Sequence, residues 1–306
     1  MVNPYSERLQ VMETPVKTNL PTTIREWAEM IKFEHTVFAL PFALSGLILA
    51  APGLPAASVF FWTVLAFAGA RAAAMTLNRL IDCKIDAINP RTSSRAIPAG
   101  RISSSMAMVA TIIAFSVMIV AACRLPRLCL YLSPIAVVWL SMYSFTKRFT
   151  WLCHLVLGIA LGGAALGGWI AAGGLLDQSA PWFLALAVAT WVAGFDIIYA
   201  LQDVDFDRKE KLHSIPARFG VRNGLIISTF LHVFTVASLA AVGFTLGLGI
   251  CYWFGVLLVA GMLTYEHSLI KPTDLSKINA AFFTVNGVVS ILTFFVFLLD
   301  KIIRHA

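Results

Sequence analysis

Nine apolar runs divide this sequence, and each ends at a turn or a charge. Their approximate limits are 35–52, 59–81, 106–123, 128–145, 151–173, 181–201, 223–243, 246–265 and 279–299. A helix needs about 20 apolar residues to cross a bilayer. The chain has 306 residues, 59% of them apolar and 13% charged, with mean hydropathy +0.82. A soluble domain carries about 25% charged residues. The expected fold is therefore all-α: a polytopic membrane protein with nine transmembrane helices. The thinnest divisions are Arg124-Leu125-Pro126-Arg127 and the glycines Gly243, Gly247 and Gly249.

Residues 1–34 read as an N-terminal arm and interfacial helix, and residues 35–306 as a single transmembrane domain. Pro4, Pro15 and Pro21 argue against regular structure at the start. Thr22 or Thr23 can cap a short amphipathic helix carrying Ile24, Trp27, Met30 and Ile31. No cleavable signal peptide is expected in this mixed-charge start. The five cysteines form no CxxC pair and read as small packing residues.

Charge gives an orientation. With the N-terminus in the cytoplasm, seventeen Lys and Arg residues outside the runs fall on the cytoplasmic side and four on the other. The net charge of +7 thus needs no nucleic acid to explain it. The loops after the second and sixth runs lie on the same, cytoplasmic side.

Those two loops begin with related stretches. One is Asn78-x-x-x-Asp82-x-x-x-Asp86, the other Tyr199-x-x-x-Asp203-x-x-x-Asp207. Residues four apart share a helix face, so each stretch projects a polar group and two carboxylates together. Four carboxylates at a membrane face repel one another unless a cation lies between them. Mg²⁺ prefers oxygen ligands and often shares phosphates, whereas no His or Cys spacing suits zinc. Asn78 and Tyr199, one turn earlier, can orient a carboxylate or donate to a phosphate oxygen.

Arg91, Arg95, Lys147, Arg148, Lys209, Lys211 and Arg218 belong to the same face. Guanidinium groups bind phosphate bidentately and lysine acts as a point charge, although cytoplasmic loops are basic in any case. Arg71 is ten residues inside the second run and aligned with Asn78, which favours a diphosphate-binding role; Lys32 is a weaker candidate of the same kind. Asp196, inside the sixth run, either binds or deprotonates an acceptor hydroxyl or makes a structural hydrogen bond to another helix. Glu266 and His267 read as interfacial, and the remaining histidines receive no chemistry.

The paired stretches resemble those of the UbiA superfamily of intramembrane prenyltransferases. Asn89-Pro90-Arg91-Thr92, Tyr143-Ser144-Phe145-Thr146-Lys147-Arg148 and Gly194-Phe195-Asp196 through Phe219-Gly220 carry the same resemblance. It is strongest to the 4-hydroxybenzoate polyprenyltransferases. The stretch from Lys32 to Phe42 is similar to the branch that serves menaquinone through futalosine, where the acceptor is a dihydroxynaphthoate-type acid. The resemblance implies helices around a central cavity, with Mg²⁺ held by Asp82, Asp86, Asp203 and Asp207. Asn78 and Tyr199 would support the metal, nearby Lys and Arg would hold the diphosphate of a polyprenyl donor, and Asp196 would assist an aromatic acid acceptor. It places the chain in a bacterial inner membrane, with lipid around it and no obligate protein partner. Arg79-Leu80 leaves the first stretch less acidic than in members with extra Asp there. The rival from another class is a cation-coupled transporter, but carboxylates at one face beside a basic cluster suit phosphate better.

Overall fold

Lipid outside and polar groups inside is the pattern these helices follow. Residues 20–32 and 36–305 are described by the structure, a computed structural model. The arm's residues 1–19 and Phe33-Glu34-His35 lie outside the described residues. After the short α1 (Leu20–Met30) come α2 (Thr36–Ala50), α3 (Ala57–Ile81) and the one-turn α4 (Cys83–Ile88). Then follow α5 (Ser104–Ala122), α6 (Arg127–Thr146), α7 (Cys153–Ala171) and α8 (Ala180–Ala200). The short α9 (Val204–Lys209) and α10 (Ile215–Phe219) precede α11 (Val221–Leu246), α12 (Ile250–Leu269) and α13 (Asn286–His305).

Among the described residues, eight helices are long and apolar enough to cross a membrane. The first run forms α2, which at 15 residues is shorter. Every expected run is a helix. Large apolar side chains such as Tyr131, Ile135, Phe244 and Leu257 point outward, while Ser45, Thr76, Ser228 and Glu266 are fully buried. That inversion suits a lipid solvent, in which buried polar groups find partners on neighbouring helices.

Helices α7 and α8 pack closely, α8 also packs on α11, and α2 closes the bundle against α7 and α13. Glycine sets two of these seams, α7 on α8 and α7 on α2. A Cβ at Gly158 would overlap the Ala189 carbonyl oxygen, and one at Gly168 would overlap that of Ala43.

Two elements differ from the expectation. Helix α1 begins at Leu20, so Pro21 sits in its first turn, where a missing N–H costs nothing. It also packs on protein: Met30 and Ile31 join Ala96, Ile97 and Ile102, and Trp27 Nε1 donates to Thr76 Oγ1 at 3.0 Å. Glu266, read as interfacial, is 0% exposed. Asn286 Nδ2 donates to its Oε1 at 2.7 Å. A turn of π-helix over Ala280–Val285 turns Asn286 inward, where its Nδ2 also reaches Ala281 O at 3.0 Å.

Candidate functional site

Both acidic stretches break their helix at the same place. Helix α3 ends at Ile81, and Asp82 (φ −88°, ψ 3°) joins it to α4. A tight 3₁₀ turn, Leu201–Asp203, follows α8, and Asp203 (φ −107°, ψ 7°) joins it to α9. Both residues occupy the sparsely allowed bridge region, where active-site residues are frequent. The register survives the first bend: Asp82 N donates to Asn78 O at 2.9 Å and Asp86 N to Asp82 O at 2.8 Å. Asp82, Asp86 and Asp207 are buried, and the Asp203 side chain is 18% exposed.

A polar partner holds each carboxylate. Asn78 Nδ2 donates to Asp82 Oδ2 at 3.1 Å, and Arg148 Nη2 to Asp82 Oδ1 at 3.1 Å. Lys147 Nζ stands 3.9 Å from Asp82 Oδ2. Arg148 also donates to Ile81 O at 2.7 Å, covering the open end of α3. Arg95 Nη1 reaches both oxygens of Asp86 at 2.7 Å. Ser214 Oγ donates to Asp207 Oδ2 at 2.9 Å.

The link between the stretches comes from the loop after the first. Asn89 Oδ1 accepts from Arg91 N at 2.9 Å, a local turn that aims the next side chains. Asn89 Nδ2 then donates to Asp203 Oδ1 at 3.2 Å. Arg91 Nε donates to the same oxygen at 2.9 Å, its Nη2 pairs with Oδ2, and its Nη1 donates to the Tyr199 hydroxyl at 3.0 Å. Burial works against the guanidinium charge, but the hydrogen bonds and charge of Asp203, with Tyr199, outweigh it and hold Arg91 above the ordinary arginine range.

Among the described residues no three His, Cys, Asp or Glu side chains converge as a metal-binding group. The donor chemistry nonetheless fits a hard divalent cation: the four carboxylates offer only oxygen, and three of them are buried. Three of the four face basic side chains: Asp82 faces Arg148 and Lys147, Asp86 faces Arg95, and Asp203 faces Arg91.

The other expected residues are distributed unevenly. Lys209 and Lys211 are exposed and form no ion pair among the described residues. Arg71 Nη1 donates to the carbonyls of Ile31 at 3.2 Å and Lys32 at 3.4 Å, so it engages the end of α1. Lys32 Nζ lies 5.8 Å over the Phe283 ring. Asp196 Oδ2 is 2.7 Å from His154 Nδ1, a residue the sequence reading passed over. Asn89 and Ser214 were also missed as contacts. The signals were a turn-forming Asn-Pro and a Ser-x-Pro helix start, each just beyond an acidic stretch. A column of rings runs inward from the site: Tyr199 to Phe282 at 4.2 Å, Phe282 to Phe195 at 5.3 Å, Phe195 to Trp191 at 4.8 Å and Trp191 to Phe42 at 4.6 Å.

Comparison with known proteins agrees with this architecture. Residues 39–288 match the UbiA prenyltransferase family. The chain is 33% identical over 245 residues to the 4-hydroxybenzoate octaprenyltransferase of Vibrio cholerae, covering 80% of this chain and 86% of that one. Its fold matches a UbiA homologue from Aeropyrum pernix K1 with TM-score 0.80 and 32% identity, over 89% of this chain and 98% of the other. A UbiA homologue from Archaeoglobus fulgidus, bound to GPP and Mg²⁺, matches in fold with TM-score 0.73 at 20% identity, over 90% and 99%.

Proposed function

This chain belongs to the UbiA prenyltransferase family, an integral membrane protein and an enzyme, and from that premise we propose that it transfers a polyprenyl group from an allylic diphosphate to an aromatic acid of the 4-hydroxybenzoate type. The observation that supports this reading is the crosslink from Arg91, in the loop after the first acidic stretch, to Asp203 and Tyr199 of the second. The site faces the cytoplasm in this reading, at the inner membrane of a bacterium, as the distribution of basic residues favours.

Asp82, Asp86, Asp203 and Asp207 would hold Mg²⁺, which supplies positive charge to the diphosphate when bound. Arg91, Arg95, Lys147 and Arg148 exchange a carboxylate for phosphate oxygens and steady the departing group. Lys209, Lys211 and Arg71 complete the attractive field around it. The allylic C–O bond breaks, its electron pair leaves with diphosphate, and the electron-rich ring carbon attacks the allylic cation. Loss of the ring proton restores aromaticity. Ring faces of Tyr199, Phe282 and Phe195 suit a delocalised cation. Asp196, a quarter exposed at its side chain, binds the acceptor hydroxyl and draws electron density into the ring.

The test is prenyl transfer in membranes, with farnesyl or longer diphosphates offered to 4-hydroxybenzoate and to a dihydroxynaphthoate, with and without Mg²⁺. Product from 4-hydroxybenzoate is expected. Product from the dihydroxynaphthoate alone would move the chain to the branch that the Lys32 to Phe42 stretch resembles. No product from either would sink the acceptor assignment.

A further inference from the structure

His154 joins the intramembrane carboxylate Asp196 to the loop that follows the second acidic stretch. It lies one residue inside α7 and is buried, whereas Asp196 on α8 is a quarter exposed at its side chain. Its two nitrogens have different neighbours. The Ile215 amide donates to Nε2 at 3.3 Å, so Nε2 presents its lone pair. Nδ1, 2.7 Å from Asp196 Oδ2, therefore carries the proton and donates it to the carboxylate.

The loop is itself tied to the diphosphate side of the site. His213 N donates to Lys147 O at 2.7 Å, Cys153 Sγ donates to His213 O at 3.4 Å, and Ser214 Oγ donates to Asp207 Oδ2 at 2.9 Å. Ala217 N donates back to Ser214 Oγ at 3.2 Å, fixing Ser214 as the cap of α10. One hydrogen-bonded chain thus runs from Asp207 through Ser214 and the Ile215 amide to His154 and Asp196. A free carboxylate on a helix would sample several rotamers; one held by a buried, tautomer-locked imidazole does not.

We infer that His154 is a positioning residue for the acceptor: pinned by the loop of the second stretch, it aims Asp196 so that the acceptor hydroxyl is recognised where the diphosphate site is assembled. This rests on the reading of Asp196 as the acceptor contact.

The experiment is steady-state kinetics in detergent or nanodiscs on wild type, His154→Ala, His154→Gln and His154→Asn, varying each substrate. Asn places an amide N–H near the position of Nδ1, and Gln places its amide near that of Nε2. The expected result is an acceptor KM raised about tenfold in the Ala and Gln variants, as for one lost charge-assisted hydrogen bond. The prenyl diphosphate KM stays within about twofold, the scatter of a distant change, and Asn restores most of the acceptor affinity. Equal changes in both KM values, a fall in kcat alone, or wild-type behaviour of the Ala variant overturns the inference. Should the Ala variant fail to fold, the Asn and Gln pair decides by its order. ¹⁵N-histidine NMR adds an activity-free reading: Nδ1–H with bare Nε2 supports the assignment, and the opposite tautomer or a doubly protonated ring overturns it. Wild type that yields no product from any aromatic acceptor sinks the acceptor reading and this inference with it; an active wild type with an indifferent His154 sinks only the inference.

Discussion

Arg91 and Asp203, 112 residues apart in sequence, form a two-pronged ion pair between the loop after α4 and the turn after α8, with Nε donating to Oδ1 at 2.9 Å and Nη2 meeting Oδ2. The same guanidinium donates to the Tyr199 hydroxyl and lies 5.3 Å from its ring centre. A planar fork suits both a carboxylate and a phosphate, and an ammonium suits neither so well. Arg91→Ala is therefore expected to lower kcat/KM for the prenyl diphosphate about 10- to 100-fold, the kinetic equivalent of charge-assisted hydrogen bonds worth about 1.5–3 kcal/mol. Arg91→Lys recovers only part. Initial rates at varied prenyl diphosphate check this, and a fully active Lys variant would exclude bidentate binding.

Metal removal gives a second expectation. EDTA stops turnover, and added Mg²⁺ restores it. Asp82→Ala and Asp203→Ala each cost at least about 100-fold in rate, more than supporting residues of a metal site commonly do. Both variants elute in detergent as wild type does, because each loses one carboxylate at a break between two helices rather than apolar core packing. Full activity in either variant would remove its carboxylate from the metal site.

Much of this was readable from sequence because lipid sets both the length and the polarity of a span. The run 181–201 is the helix Ala180–Ala200, and 151–173 contains Cys153–Ala171. The acidic stretches were readable because carboxylates are costly beside lipid and rare in this chain. The bends at Asp82 and Asp203 were not, since no Gly or Pro marks them; the long-range ligands Arg148, Asn89 and Arg91 hold them. Nor were His154 and His232 legible. A lone histidine in an apolar run shows no partner within its own helix, and theirs lie on others: Asp196 for His154, Glu266 and His267 for His232.

That second cluster yields a stability prediction. Glu266 Oε2 lies 3.6 Å from His232 Nδ1, His267 Nε2 is 3.0 Å from the same nitrogen, and Asn286 Nδ2 donates to Glu266 Oε1. The cluster ties α11, α12 and α13 together where lipid offers no replacement partner. Glu266→Ala takes the acceptor from one of the two Asn286 amide N–H groups, the other keeping Ala281 O, and is expected to cost about 1–3 kcal/mol, the penalty for a buried donor left unpaired. Glu266→Gln retains an oxygen for Asn286 and stays near wild type. Thermal unfolding in detergent, followed by tryptophan fluorescence, separates the two; an equally unstable Gln variant would show that the charge, rather than the acceptor, is what the fold uses.

Neighbouring glycines in α7 provide the sharpest packing test. A Cβ at Gly168 would overlap the Ala43 carbonyl oxygen and crowd Leu47 N, both backbone atoms of α2 that no rotamer change can move. One residue earlier, a Cβ at Gly167 meets nothing within 4 Å. Gly168→Ala must therefore push α2 away from α7, and overpacking of that kind costs about 1–3 kcal/mol. Gly167→Ala removes a flexible residue from a helix and is neutral or stabilising by up to about 1 kcal/mol. Because α2 carries Phe42, whose ring lies 4.6 Å from that of Trp191 at the inner end of the ring column, the Gly168 variant also displaces that column, along which we expect the prenyl tail to lie. It should lose activity with long prenyl diphosphates before short ones, whereas Gly167→Ala keeps the wild-type preference. Yield of monodisperse protein and rates with donors of two lengths measure both effects. Equal behaviour of the two variants would mean that α2 does not sit against α7 as closely as this backbone contact requires.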